Sequence, residues 1–304
     1  MQAVRQPEVF FLVAAYSSTK SSTFVRQART QGHKCTHFFV QRWMIPVKPK
    51  KSLGQHFLKN LDIAAQIAGT VDAYRGLPVL EIGPGMGVLT RILLQNNHNL
   101  TVIELDNESV RYIQSTIPAL QGHIIEGDFL KLNLDELFPT PFCVIGNYPY
   151  NISSQILFKV LDHKDRIPCC TGMFQKEVAE RIASKPGKKA YGIISVLLQA
   201  YYDIEYLFTV DKENFDPPPA VQSAVIRLVR NKANHLECNE VLFKQVIKTG
   251  FNQRRKTLRN SLKPLIGTDI PIRGLSIFDK RPEQLSVQEF VELTNLIEPH
   301  LSTP

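Results

Sequence analysis

The chain has 304 residues and is 43% hydrophobic, enough to bury a substantial core in one large domain or two of unequal size. Its five cysteines, Cys35, Cys143, Cys169, Cys170 and Cys238, include no Cys-x-x-Cys spacing, which argues against a zinc site or a disulfide scaffold and for a reduced, cytoplasmic protein. The formal net charge is +8, but residues 1–43 carry +5 of it, so the global charge is a poor argument for nucleic-acid binding and local clusters must make the case.

In residues 1–43 the only sustained apolar run, Val9 to Tyr16, is far too short to span a bilayer. Glu8 directly before it and the lack of a clean cleavage site weaken a secretion signal. The Arg- and Ser-bearing, acid-poor composition also suits an organellar transit peptide. The favoured expectation is an unstructured extension over 1–46, with the functional chain starting at Met44. Lys48, Lys50 and Lys51 then flank Pro49 in a basic arm that closes onto the domain, or in a solvated tail.

From Asp62, which can cap or charge a first turn, Ile63, Ile67 and Val71 fall at helical spacing. Pro78 to Ile82 reads as a buried strand running into Gly83-Pro-Gly-Met-Gly87, and Val88, Leu89, Ile92 and Leu93 follow at helical spacing. Strand, glycine loop and helix open a doubly wound α/β fold, whose ligands sit at the carboxyl ends of strands. The next strand, Leu100 to Asp106, ends in acids at the spacing of a ribose-binding carboxylate, which singles out Glu104. A dinucleotide fingerprint would need glycine where Val88 stands. Glycines at alternate positions, Gly83, Gly85 and Gly87, instead let the backbone lie flat against a small ligand and suit S-adenosylmethionine.

A third strand, His123 to Glu126, leads to Asp128, an ordinary turn acid or an acceptor for an adenine amine. The fourth, Phe142 to Ile145, delivers Asn147-Tyr148-Pro149-Tyr150. There an amide acceptor, a stiffening proline and a ring worth roughly 1–3 kcal/mol of base stacking stand together. Four successive strands thus bring Gly83, Glu104, Asp128 and Asn147 to one edge of one sheet. Ile156, Leu157, Val160 and Leu161 mark a helix, and Met173 to Ile182 a strand passing into another. Lys185 to Lys189 is a basic loop whose Lys188 and Lys189 are candidate RNA contacts. Tyr191 to Tyr202 reads as helical; Phe208–Val210 and Ala224–Val229 form an antiparallel end to the sheet. Between those two strands three prolines hold Phe215 in a rigid loop, as a buried anchor or as the second face of a base pocket. A polar linker, Asn231 to Asn239, precedes helices. Arg254, Arg255, Lys256 and Arg259 form the densest basic cluster, a charged helix face or a phosphate contact.

Gly54-Gln-His-Phe-Leu58, Glu81-Ile-Gly-Pro-Gly-Met-Gly87, Val102-Ile-Glu-Leu-Asp106 and Gly146-Asn-Tyr-Pro-Tyr-Asn-Ile-Ser153 resemble the KsgA-type small-subunit ribosomal RNA adenine dimethyltransferases. Gln175-Lys-Glu177, Phe215-x-Pro-Pro-Pro219, Ser223-Ala-Val225 and Phe251-Asn-Gln-Arg-Arg-Lys256 match in the same order, so the resemblance covers residue 47 to the C-terminus. It implies a Rossmann-like class I methyltransferase domain over 47–230 and a smaller α-helical, ribosome-binding domain over 231–304. It further implies N6-dimethylation of two adjacent adenosines in the 3′-terminal hairpin loop of 16S RNA, on an assembling small subunit, with S-adenosylmethionine as donor.

By motif, the cofactor residues are His56, Leu58, Gly83, Gly85, Glu104, Asp128 and Asn147, and the base is handled by Asn147, Tyr148, Pro149, Tyr150 and Phe215. RNA contacts are expected from Lys50, Lys51, Lys188, Lys189, Arg254, Arg255, Lys256 and Arg259. Direct methyl displacement requires no metal, and a monomer is expected. Two departures stand out: His56 where asparagine is frequent, and Tyr148 where leucine is common. Competing readings are an Erm-type methyltransferase of large-subunit RNA, a non-catalytic assembly or mitochondrial transcription factor, and a DNA adenine methyltransferase. The basic tail disfavours the first and last of these.

Overall fold

The computed structural model describes residues 47–233, 235–268 and 271–301, so the expectations for 1–46 lie outside it. Among the described residues nine strands form: β1 (Phe57–Leu58), β2 (Val79–Ile82), β3 (Leu100–Glu104), β4 (Ile124–Glu126), β5 (Cys143–Asn147), β6 (Cys169–Gln175), β7 (Tyr202–Val210), β8 (Phe215–Asp216) and β9 (Ser223–Arg230). Seven of them build one sheet in the order β4-β3-β2-β5-β6-β9-β7. The first five are parallel; β9 runs antiparallel to β6, and β7 to β9.

Alternation along the central strands divides their side chains between two apolar layers, since successive residues of a strand face opposite sides of a sheet. Val79, Cys143, Cys169 and Val225 enter the layer closed by α1 (Leu61–Gly69), α2 (Val88–Gln95) and α3 (Asn107–Thr116). Leu80, Val144, Cys170 and Ile226 enter the other. That layer is reached from α4 (Leu134–Leu137), α5 (Ser153–Asp162), α6 (Lys176–Ile182) and α7 (Ile193–Gln199). The C-terminal α8 (Glu240–Asn252), α9 (Leu258–Ser261), α10 (Lys263–Ile266) and α11 (Val287–Ile297) add Phe243, Val246, Leu258, Ile266 and Phe290 to the same cluster. These helices therefore share a core with one face of the sheet.

The parallel half and its antiparallel end match the sequence reading, and the departures have physical causes. The cap of α1 is Asn60, whose side chain accepts from the Asp62 and Ile63 amides, while Asp62 sits in the first turn. β7 begins at Tyr202 rather than Phe208. It is an edge strand with exposed Asp203 and Glu205, so pairing with β9 forms it where no apolar period announces it. α3 is polar overall and buries Ser109, Val110 and Ile113; Asp106, read as the end of a strand, is its N-cap.

Two-residue strands β1 and β8 pair Phe57 with Asp216 and Leu58 with Phe215. Such short strands leave no periodic signal, yet this pairing fastens the basic arm to the proline-rich loop. It also corrects the expectation for Phe215, which is fully buried beside Leu58 and Ile67 in the α1–α2 layer. Its ring is a core anchor, and it is not a wall of the cavity described next.

Candidate active site

At the carboxyl edge of β2, β3, β4 and β5 lies a cavity of about 190 Å³. Its lining includes His56, Leu58, Gly83, Gly85, Glu104, Asp128, Asn147, Tyr148, Pro149 and Tyr150. Sheet topology brings these together from five separate stretches of chain. Of the residues expected to hold cofactor or base, Phe215 alone is absent from that lining.

The floor is the turn after β2, where Gly83, Gly85 and Gly87 have φ of 67°, 55° and 75°, in the region that favours glycine. At Gly85 a second constraint applies, because a Cβ there would stand 2.8 Å from the Phe57 ring. The Phe57 ring of β1 thus packs directly against the loop, and a side chain at Gly85 would have to displace it. Phe57 was not foreseen as part of the site.

On the β3 side the Glu104 carboxylate is clamped by backbone. Its Oε1 accepts from the Leu105 and Asp106 amides at 2.9 Å each, and its Oε2 from the Gly85 amide at 3.1 Å. Burial pushes its pKa up, and these three amides oppose the shift. An ionised carboxylate has about four acceptor positions, so capacity remains for a hydroxyl from the cavity. Leu105 is 51% exposed at the same wall, although a buried-strand reading puts it inside. An apolar residue between two acids at a strand's end was the available signal. Asp128 caps a short turn by accepting from the Leu130 amide at 3.0 Å through one oxygen.

On the β5 side Asn147 donates its Nδ2 to the His56 carbonyl at 2.9 Å, which fixes the direction of its own side-chain oxygen. Tyr148 turns its ring away into the core. The hydroxyl donates to the Thr171 carbonyl at 2.7 Å, and the ring packs against Phe174 at 4.8 Å. Room for it comes from the register pair Gly146 and Gly172; a Cβ on Gly172 would lie 2.1 Å from the Gly146 carbonyl oxygen and 2.7 Å from the ring. Tyrosine in place of leucine is thus absorbed by the core. Tyr150 bonds its hydroxyl to that of Ser223, and its ring stacks on His56 at 5.6 Å and 26°. His56 in turn donates Nδ1 to the Pro217 carbonyl at 2.8 Å. The ring stacked on Tyr150 is therefore that of His56, while Phe215, expected across a base from Tyr150, lies in the core.

Glu81 also lines the cavity, and sequence reasoning gave it no role. It is 1% exposed, accepts from the Thr90 hydroxyl at 2.7 Å, and burial pushes its pKa to about 8. Between about 4.5 and 8 the folded chain therefore keeps a proton that the unfolded chain has lost, so stability falls as pH rises through that window. Each pH unit of the window is worth ~1.4 kcal/mol. Glu81→Gln should accordingly melt higher than the parent above pH 8 and lose this advantage towards pH 4.5. Parallel melting curves across the range would exclude Glu81 as the cause.

The basic residues divide into two groups. Arg254 donates to the Lys189 carbonyl at 2.9 Å, which joins the loop of Lys188 and Lys189 to the end of α8, beside exposed Arg255 and Lys256. Two clusters far apart in sequence thus form one surface, and Lys51 is exposed on the arm. Lys50 and Arg259, in contrast, are internally paired. Lys50 lies 2.5 Å from Asp106 and 3.2 Å from Glu108. Arg259 grips Asp279 and the Arg273 carbonyl. These two residues, both expected to contact RNA, thus have carboxylate partners that no sequence spacing reveals.

A parallel sheet closed by an antiparallel pair, with a glycine loop and acids at successive strand ends, defines a Rossmann-like class I methyltransferase with a small helical C-terminal part. A model of the ribosomal RNA adenine dimethylase family matches residues 47–296, and the chain belongs to that family. "Ribosomal RNA small subunit methyltransferase A" of Parabacteroides distasonis is 67% identical over 255 residues, covering 84% of this chain and 96% of that protein. Among solved structures, a dimethyladenosine transferase from Plasmodium falciparum superposes with a TM-score of 0.68 at 24% identity, over 81% of this chain and 98% of its own. That likeness is one of fold. The 23S rRNA methyltransferase ErmE is 28% identical with a TM-score of 0.60, over 79% and 99% of the two chains.

Proposed function

We propose that this chain dimethylates the N6 amines of two adjacent adenosines in the 3′-terminal hairpin loop of 16S ribosomal RNA, during assembly of the small subunit. The observation that carries the reading is the convergence of Asn147, Tyr148, Pro149 and Tyr150 on the cavity that also holds Glu104 and Asp128. The name of the Parabacteroides relative supports the choice of subunit.

The donor set fits S-adenosylmethionine. Glu104 keeps acceptor capacity that ribose hydroxyls would use, the Asp128 oxygen not bonded to the Leu130 amide would accept from an adenine amine, and Gly83 and Gly85 line the cavity without side chains. His56, Leu58 and Gly83 complete the walls. When bound, this cofactor supplies an electrophilic methyl group on a sulfonium.

The chain's own contribution is orientation. An adenine amine is a weak nucleophile because its lone pair is delocalised into the ring. Asn147 Oδ1, aimed by the Nδ2 bond to His56, and the Tyr148 carbonyl would accept its two hydrogens and favour a pyramidal nitrogen. Pro149 keeps those acceptors from turning away. Tyr150, anchored by Ser223, offers its face to a base that has left its own stack. Such fixed acceptors act by positioning and electrostatics, without a covalent intermediate. Lys188, Lys189, Arg254, Arg255, Lys256 and Lys51 would hold phosphates, which positions RNA without reading it. A monomer acting in the cytoplasm completes this reading.

The test is a substrate swap. Labelled methyl groups should pass to small subunits that lack the modification and not to unmethylated large-subunit RNA. Label on the large-subunit RNA would move the chain to the ErmE type of activity. Binding of small subunits without label on either substrate would leave it an assembly factor that keeps the fold and lacks the chemistry.

A further inference from the structure

The segment from Lys50 to Leu58 crosses the mouth of the cavity and is fastened at both ends. At its far end Phe57 and Leu58 pair with β8, and His56 holds the Pro217 carbonyl. At its near end the Lys50 amide donates to the Gln55 side-chain oxygen at 2.8 Å, folding the segment back on itself. From there the Lys50 ammonium reaches Asp106 at 2.5 Å and Glu108 at 3.2 Å. Gln55 Nε2 donates to the second oxygen of Asp106 at 3.2 Å.

Asp106 is well suited to receive these bonds. Its side chain is 1% exposed and is held by the Glu108 amide and the Ser109 hydroxyl. Its own amide is one of the three that clamp Glu104. A single carboxylate therefore joins the strap that roofs the cavity to the turn that shapes its ribose-facing wall. Lys50, in contrast, is 37% exposed, so the pair can open to solvent without disturbing the sheet.

We infer that Lys50, acting through Asp106, is a positioning residue for the cofactor: the pair latches the strap across the cavity and sets how tightly the cofactor is held. This rests on reading the cavity as the cofactor site. The latch also explains why Lys50 sits beside a basic arm without presenting its charge to RNA. Glu108, exposed and secondary, adds little to it.

The full chain is titrated calorimetrically with S-adenosylhomocysteine, and methylation of small subunits is measured in parallel. Lys50→Met keeps the aliphatic stem and removes the charge. Its Kd for the probe and its cofactor KM should rise about tenfold, the scale of one charge-assisted hydrogen bond. kcat at saturating cofactor and the RNA KM should stay at parental values. Hydrogen exchange should quicken at residues 55–58 and not in β2 or β3, and Lys50→Arg should restore both binding and protection.

Unchanged binding in Lys50→Met, or no rescue by arginine, would overturn the latch. So would a raised RNA KM with normal probe affinity, which would return Lys50 to RNA contact. A parent chain that fails to bind the probe would overturn the cofactor reading of the cavity, and the latch with it.

Discussion

Asn147→Ala is expected to lower kcat by at least ~100-fold, the scale seen when one preorganised hydrogen-bond partner of a reacting group is removed. The Kd for S-adenosylhomocysteine should stay measurable, because Glu104, Asp128 and the glycine loop are untouched. Alanine removes the acceptor for the adenine amine and frees the His56 carbonyl from its tether, so some loosening of the strap accompanies the loss. Single-turnover methylation separates the two effects. A rate restored by saturating cofactor would reduce Asn147 to a support for the strap, and normal turnover would remove it from the mechanism.

Tyr150→Ala should cut kcat/KM for small subunits by about 10- to 100-fold, since a base stacked on an aromatic ring is worth roughly 1–3 kcal/mol. Cofactor affinity should change far less. Tyr150→Phe keeps the ring and drops only the bond to Ser223, so it should retain most activity. The contrast between the two variants isolates the ring face from its anchor. An equal loss of RNA turnover and cofactor binding in Tyr150→Ala would contradict a stacking role.

His56 bears on the same point, because its ring stacks on Tyr150, whereas Phe215, expected on the far face of the base, is buried. The proline-rich loop does reach the site, but it does so through the Pro217 carbonyl that His56 holds. The aromatic ring of that loop is directed into the core instead.

Much of the site was legible because it depends on local chain geometry. Three glycines at alternate positions announce a turn with positive φ, and acids at the ends of apolar runs announce the carboxyl edge of a parallel sheet. The Asn147 to Tyr150 stretch is likewise read from residue type, since it begins at the last residue of a buried strand. The rest depends on contacts between distant parts of the chain. Nothing in the order of residues says that Leu58 pairs with Phe215, that Lys50 meets Asp106, or that Arg259 meets Asp279. A run of basic residues looks the same in sequence whether its charges face solvent or carboxylates, and here Arg255 and Lys256 do the first while Arg259 does the second. α3 escaped notice for a related reason: its stability comes from a cap and from tertiary packing more than from an apolar stripe.

The most direct test of the central claim is the nucleoside composition of small-subunit RNA after incubation with the chain and S-adenosylmethionine. Subunits lacking the modification would be digested and weighed by mass spectrometry, with and without Asn147→Ala. Two equivalents of N6,N6-dimethyladenosine per subunit, absent with the variant, are the predicted result. Methyl groups on any other nucleoside, or dimethyladenosine formed equally well by Asn147→Ala, would contradict it.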